Sequence, residues 1–195
     1  MRPTELIEAC RESHSRLLKN VAKMTDDDVR SPSLLPNWSK AHVMTHLARN
    51  ADSFVWLCEG ARIGQSRQQY PTPGMREVDI EAGGSLASSD LLDDLARSCR
   101  ALEASFDALD DDKWGFEVLV RTGAKSMTEI VFSRLREVEV HHLDLGVGYE
   151  SSAWPRIYVE GELSRQLTEL PARADHAKLV TWLIGRAGAP ELERW

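Results

Sequence analysis

Two short stretches of the chain carry side chains that could act together on a metal ion. In S-R-L-R-E-V-E-V-H-H-L-D-L-G, residues 133–146, Glu137 and His141 stand four apart. On a helix that spacing stacks them on one face, a turn from each other. A carboxylate and an imidazole so placed grip one divalent ion if a third ligand arrives from elsewhere. The donor lies upstream in N-W-S-K-A-H-V-M-T-H-L-A-R-N-A-D, where His42 and His46 are also four apart. With His142 beside His141, five residues compete for three ligand roles. Two His and one carboxylate suit zinc or another borderline divalent ion and leave coordination open for chemistry. The same spacing is also met in surface ion pairs with satisfied polar neighbours, so spacing alone leaves both readings standing.

Such residues need helices to position them. Leu6, Ile7, Cys10, His14, Leu17, Leu18 and Val21 form one stripe on a first helix over residues 4–24, with Thr4 as its cap. Ser39 caps a second helix reaching residue 63, with Val43, Leu47, Ala51, Phe54, Val55 and Cys58 inward, which places His46 near its buried side. Ser89 or Asp90 caps a third helix ending near residue 109, and Ser126 or Thr128 starts a fourth that carries Glu137 and His141. Residues 62–89 read as irregular, because Tyr70, Pro71, Pro73 and Gly74 interrupt a helix there. So long a loop in a compact chain is more often functional than filler, and Arg76 is its charged residue of interest. A short extended piece is expected at residues 116–120, and two further helices at residues 157–170 and 175–186. The expected fold is all-α: a four-helix bundle over residues 1–148, then a short helical extension over residues 149–195 that packs on it.

Composition narrows the function classes. The 195 residues are 42% hydrophobic and 28% charged, an ordinary globular balance. A formal net charge of −7 argues against a general nucleic-acid or anionic-membrane binder. No apolar run approaches the roughly 20 residues needed to cross a bilayer, and the first ten residues hold no apolar leader, so a cytoplasmic protein is expected. Cys10, Cys58 and Cys99 are odd in number, scattered and unpaired by any C-x-x-C, which reads as reduced core residues rather than a catalytic thiol.

The two histidine-bearing stretches, L-L-P-N-W-S-K-A-H-V-M-T-H-L-A-R-N-A and R-L-R-E-V-E-V-H-H-L-D-L-G, together resemble the mycothiol-dependent maleylpyruvate isomerase family, part of the DinB-like metal-binding bundles. The likeness covers residues 1–150 and returns at W-L-I-G-R-A-G and Trp195. It implies a metal, zinc in the isomerase, on His46, Glu137 and His141, with His42 and His142 as neighbours. It also implies functional roles for Arg76 in the irregular loop and Arg186 near the C-terminus. Isomerases of this type carry a larger C-terminal α/β domain, whereas only about 50 residues follow Gly146 here.

The implied reaction converts maleylpyruvate to fumarylpyruvate. Adding a thiolate to a conjugated cis double bond makes it single, rotation follows, and expulsion of the thiolate restores a trans bond. The cofactors expected are a divalent metal and mycothiol, and the partners are a small dicarboxylate and a low-molecular-weight thiol, in a monomer or small homo-oligomer. Guanidinium groups match carboxylates bidentately, a role for Arg76 and Arg186. A metal-dependent mycothiol or bacillithiol S-transferase would share the metal site. A non-catalytic zinc-binding or sensor bundle would close the metal shell.

Overall fold

The computed structural model describes residues 1–192 and divides them into two compact units, one ending at Trp154 and the other beginning at Pro155. Trp195, expected to pack back on the body, lies outside the described residues. Among the described residues no helix is long and apolar enough to cross a membrane.

The first unit is a bundle of four long helices: α1 (Thr4–Val21), α3 (Lys40–Arg62), α5 (Ser88–Asp107) and α6 (Met127–Asp144). Two short ones, α2 (Asp26–Arg30) and α4 (Met75–Gly83), lie between them in sequence. The mainly-α expectation holds. α3 packs against both α5 and α6, and α1 against α5 and α6. Leu17, Met44, Leu47, Leu91, Leu95 and Val138 meet in the core with almost no exposed surface. At about 25 cal/mol per Å² of apolar surface removed from water, this packing is the main stabilising term.

Local chemistry sets the helix starts. Ser39 and Ser126 each accept from the backbone N–H three residues on, while His42 and Glu129 reach back to the caps. Thr4, expected as a cap, is instead the first helical residue; Pro3 occupies the cap position without a side-chain bond. α5 begins at Ser88 with Ala87 at its cap, just before the serine or aspartate expected there.

The larger departure is in residues 62–89. The backbone N–H of Gln69 donates to Leu119 O (2.8 Å), and that of Leu119 to Arg67 O (3.1 Å). These bonds fasten the segment to β1 (Glu117–Val120), which pairs antiparallel with β2 (Gly123–Ser126). Gly74, at φ 77°, then turns the chain into α4. The prolines do prevent a helix through residues 71–74, but the nine residues after them form one. Its short apolar stripe buries only Ile80 and Gly83, too little to be read from periodicity. Gly83 is held by close approach: a Cβ there would fall 2.0 Å from Thr45 Oγ1 on α3. α4 therefore lies against the helix that carries His46, and brings Arg76 to it.

The first unit runs past the expected boundary at residue 148 because Tyr149 returns to α6, stacking on His142 and donating to the buried Glu139 carboxylate. The second unit holds α7 (Arg156–Glu169), a tight turn and α8 (His176–Leu183). Asp175 caps α8 through the Lys178 N–H (2.9 Å).

Candidate metal centre

α3 and α6 bring three side chains to one place. Glu137 Oε2 is 2.9 Å from His46 Nε2 and 3.4 Å from His141 Nε2. One ligand atom from each residue lies within 4.8 Å of the other two, a spread that one metal ion could bridge. The two imidazoles meet edge to face, their centroids 4.6 Å apart. His46 is 4% exposed. The Glu137 and His141 side chains keep 30% and 16% of their surface, so the group has a buried wall and an accessible side.

Each imidazole is oriented by a further group. His141 Nδ1–H donates to Asp144 Oδ2 (2.9 Å), which leaves Nε2, on the Glu137 side, as the atom that could ligate an ion. At His46 the neighbour is Arg76, whose Nη2 donates to Nδ1 (3.2 Å). A guanidinium has no acceptor, so Nδ1 presents its lone pair and the ring proton sits on Nε2, facing Glu137. Trp38 packs on the edge of His46, and the Arg76 guanidinium lies 5.9 Å from its ring centre.

The electrostatics follow the geometry. Burial, with help from the charges of His141 and Arg76, lowers the His46 pKa to about 4 despite Glu137. Burial alone would also lower His141, but Asp144 and Glu137 outweigh it and raise that pKa to about 9. Burial would raise Glu137; hydrogen bonds from His141 and His46 instead hold its carboxyl well below the usual range. At neutral pH the cluster therefore contains a carboxylate, a neutral imidazole and a protonated one.

The competing histidines are engaged elsewhere. His42 Nδ1 accepts the Ser39 N–H (3.2 Å) at the cap of α3, and its Nε2 is 3.7 Å from Glu81. His142 Nε2 accepts from Asn20 (2.9 Å) while its ring stacks on Tyr149 at 3.7 Å. Cys10, Cys58 and Cys99 are free and buried. Arg186, in the second unit, follows α8 as an exposed residue whose N–H donates to Thr181 O (2.8 Å). Asp144 and Trp38 are the neighbours that sequence reasoning missed. Asp144 was readable, three residues after His141 on the same helix; Trp38 had no such signal.

A family model described as the mycothiol maleylpyruvate isomerase N-terminal domain matches residues 10–146, which include all three converging residues. The chain belongs to this family. Its fold is similar to two solved structures, the mycothiol-dependent maleylpyruvate isomerase and a histidine-to-alanine mutant of it, each with a TM-score of 0.77 and 25% identity. Each match covers 80% of this chain and 66% of the isomerase chain, so this chain spans just under two thirds of those structures. No curated protein sequence matches it.

Proposed function

We propose that the protein is a mycothiol-dependent cis–trans isomerase that converts maleylpyruvate to fumarylpyruvate, with His46, Glu137 and His141 as ligands of a divalent ion, zinc. The observation that carries this reading is the convergence of those three donors, in a bundle of the isomerase family, beside Arg76. The donor set fits the ion: two nitrogens and one oxygen from a partly open cluster, with His141 already turned by Asp144. A bound ion would lower the pKa of a thiol, so that thiolate is available at neutral pH.

The chain's own residues supply the rest. Asp144 keeps the His141 proton at Nδ1. His46 must hold its proton at Nδ1 to offer Nε2 as a ligand, and its contact with Arg76 then loses its acceptor. The loaded site therefore leaves Arg76 with an unsatisfied donor for a substrate carboxylate. Arg186 is proposed as the second carboxylate anchor, on the family resemblance. Burial of His46 excludes water from one side of the centre. No protein thiol takes part, in keeping with three buried cysteines.

The test is turnover of maleylpyruvate by the zinc-loaded protein with a trace of mycothiol. An isomerase returns the thiol each cycle, so fumarylpyruvate should form in large excess over it. One thiol consumed per product, as a stable thioether without isomerised acid, would make the protein an S-transferase instead. Neither reaction, with zinc bound, would leave a non-catalytic bundle.

A further inference from the structure

The first unit contains a cavity of about 240 Å³ between the segment before α4, the first turn of α4 and the tip of the β1–β2 hairpin. Its walls include Gln68, Tyr70, Gly74, Arg76, Glu77 and Arg121. The volume is below that of sites for drug-sized ligands and suits a small acid. Arg76 joins it to the metal centre, since the same guanidinium that lines the cavity contacts His46 Nδ1.

Three features give this cavity a preference for a carboxylate. Two guanidinium groups line it, and the Arg121 side chain makes no hydrogen bond or ion pair among the described residues. The first turn of α4 faces it with no side-chain cap at Gly74, so the positive end of that helix is open. Glu77 already behaves as a carboxylate there: its Oε1 is 3.3 Å from Arg76 Nη1. Its carboxyl is held below the usual range by its own backbone N–H first, then by Arg76 and Arg121.

We propose that this cavity is the subsite for one carboxylate of the substrate, that Arg121 on the hairpin tip is a specificity-determining residue, and that Glu77 is an internal competitor for the same cations. The proposal rests on the isomerase reading for the identity of the acid. The cavity and its charges stand without it. An incoming carboxylate displaces Glu77 from Arg76 and gains Arg121, while Glu77, 63% exposed, turns to solvent at little cost.

Titration calorimetry of maleate into the full chain tests this, with the zinc content of every sample measured. Arg121→Ala should weaken maleate binding about fivefold, an exposed but charge-assisted contact. Glu77→Gln should tighten it by a similar factor, and both should keep wild-type zinc. In turnover, Arg121→Ala should raise KM for the acid with kcat nearly unchanged. Arg100→Ala, exposed on α5, controls for net charge and should change nothing. Unchanged maleate binding in Arg121→Ala, or weaker binding in Glu77→Gln, overturns the proposal. So does a rise in KM for the thiol alone, which would give the carboxylate to the thiol. If the expected maleate pattern appears in a protein that fails to isomerise maleylpyruvate, the subsite stands and only the reaction assignment falls.

Discussion

Arg134, Glu137 and His141 follow one another on a single face of α6, yet the two ends of this stripe are built on opposite principles. At Arg134 every partner is complementary. The fully buried guanidinium donates to His14 Nε2 (3.0 Å), Leu47 O (2.8 Å), Asn50 Oδ1 (2.8 Å) and Cys99 Sγ (3.4 Å). His14 in turn gives its Nδ1 proton to Glu103 (2.7 Å). One turn on, His46, Glu137 and His141 bring two imidazole nitrogens and a carboxylate oxygen within 4.8 Å of one another, with part of their surface accessible. The comparison teaches how to tell a structural polar network from a binding site when both are buried and both contain histidine. Donors matched to acceptors leave nothing for a ligand to do. A partly open carboxylate between two imidazoles offers three atoms that one cation could share once the ring protons move away.

The two ends are also coupled. His46 and Asn50 are four apart on α3, as the two clusters are adjacent on α6. Through Asn50 and Leu47 O, Arg134 holds the register of α3 against α6 that lets His46 meet Glu137.

The sharpest way to break the contrast is at Arg134. Arg134→Leu should cost about 3–5 kcal/mol in urea unfolding, because several buried acceptors lose their donor together. Glu137→Ala should cost less, about 1–2 kcal/mol in the metal-free protein, because His141 keeps Asp144 as its partner when the shared carboxylate is removed. Equal losses would erase the distinction between network and site.

Metal affinity should show the reverse order. His46→Ala, Glu137→Ala and His141→Ala should each lose most bound zinc, more than the roughly 10–100-fold expected for Asp144→Asn, which only misorients His141. His42→Ala and His142→Ala should retain it, since each bonds elsewhere. Metal analysis of the six purified variants checks this, and full retention in Glu137→Ala would sink the ligand assignment.

A pH series sharpens the same point. His141 is raised to about 9 in the metal-free protein, so its proton stabilises that form below the ordinary histidine range. This contribution is lost as pH rises through 9. A metal must displace the proton, so zinc affinity should climb about tenfold per pH unit from 7 toward 9 and level off above. Calorimetry in two buffers of different ionisation enthalpy should show proton release at pH 7. No proton release would mean that His141 is neutral or is not a ligand.

The smallest effect is expected at the cysteines. Burial pushes the Cys58 thiol up to about 12, so it should resist iodoacetamide in the folded protein. A triple variant with Cys10, Cys58 and Cys99 changed to Ala should keep zinc and turnover with a modest loss of stability. Loss of turnover in a folded, zinc-loaded triple variant would place the nucleophile on the chain.

Much of the bundle was legible in the sequence because its signals are local. Apolar stripes at helical spacing mark α1, α3, α5 and α6, and the boxes at Ser39 and Ser126 need only neighbours three residues away. The pairs His42–His46 and Glu137–His141 were visible for the same reason. Which of His42 and His46, and which of His141 and His142, turns to the other helix was not legible from spacing, because that depends on how α3 and α6 rotate against each other. Core packing and the Arg134 network set that rotation, through residues some 85 positions apart in the chain. α4 was hidden because its burial comes from contact with α3 at Gly83 rather than from its own periodicity. The meeting of Arg76 with His46, and of Arg121 with Glu77, likewise exists only once the hairpin and α4 are docked. Local chemistry determined the elements and the candidate ligands, and tertiary packing decided which of them meet.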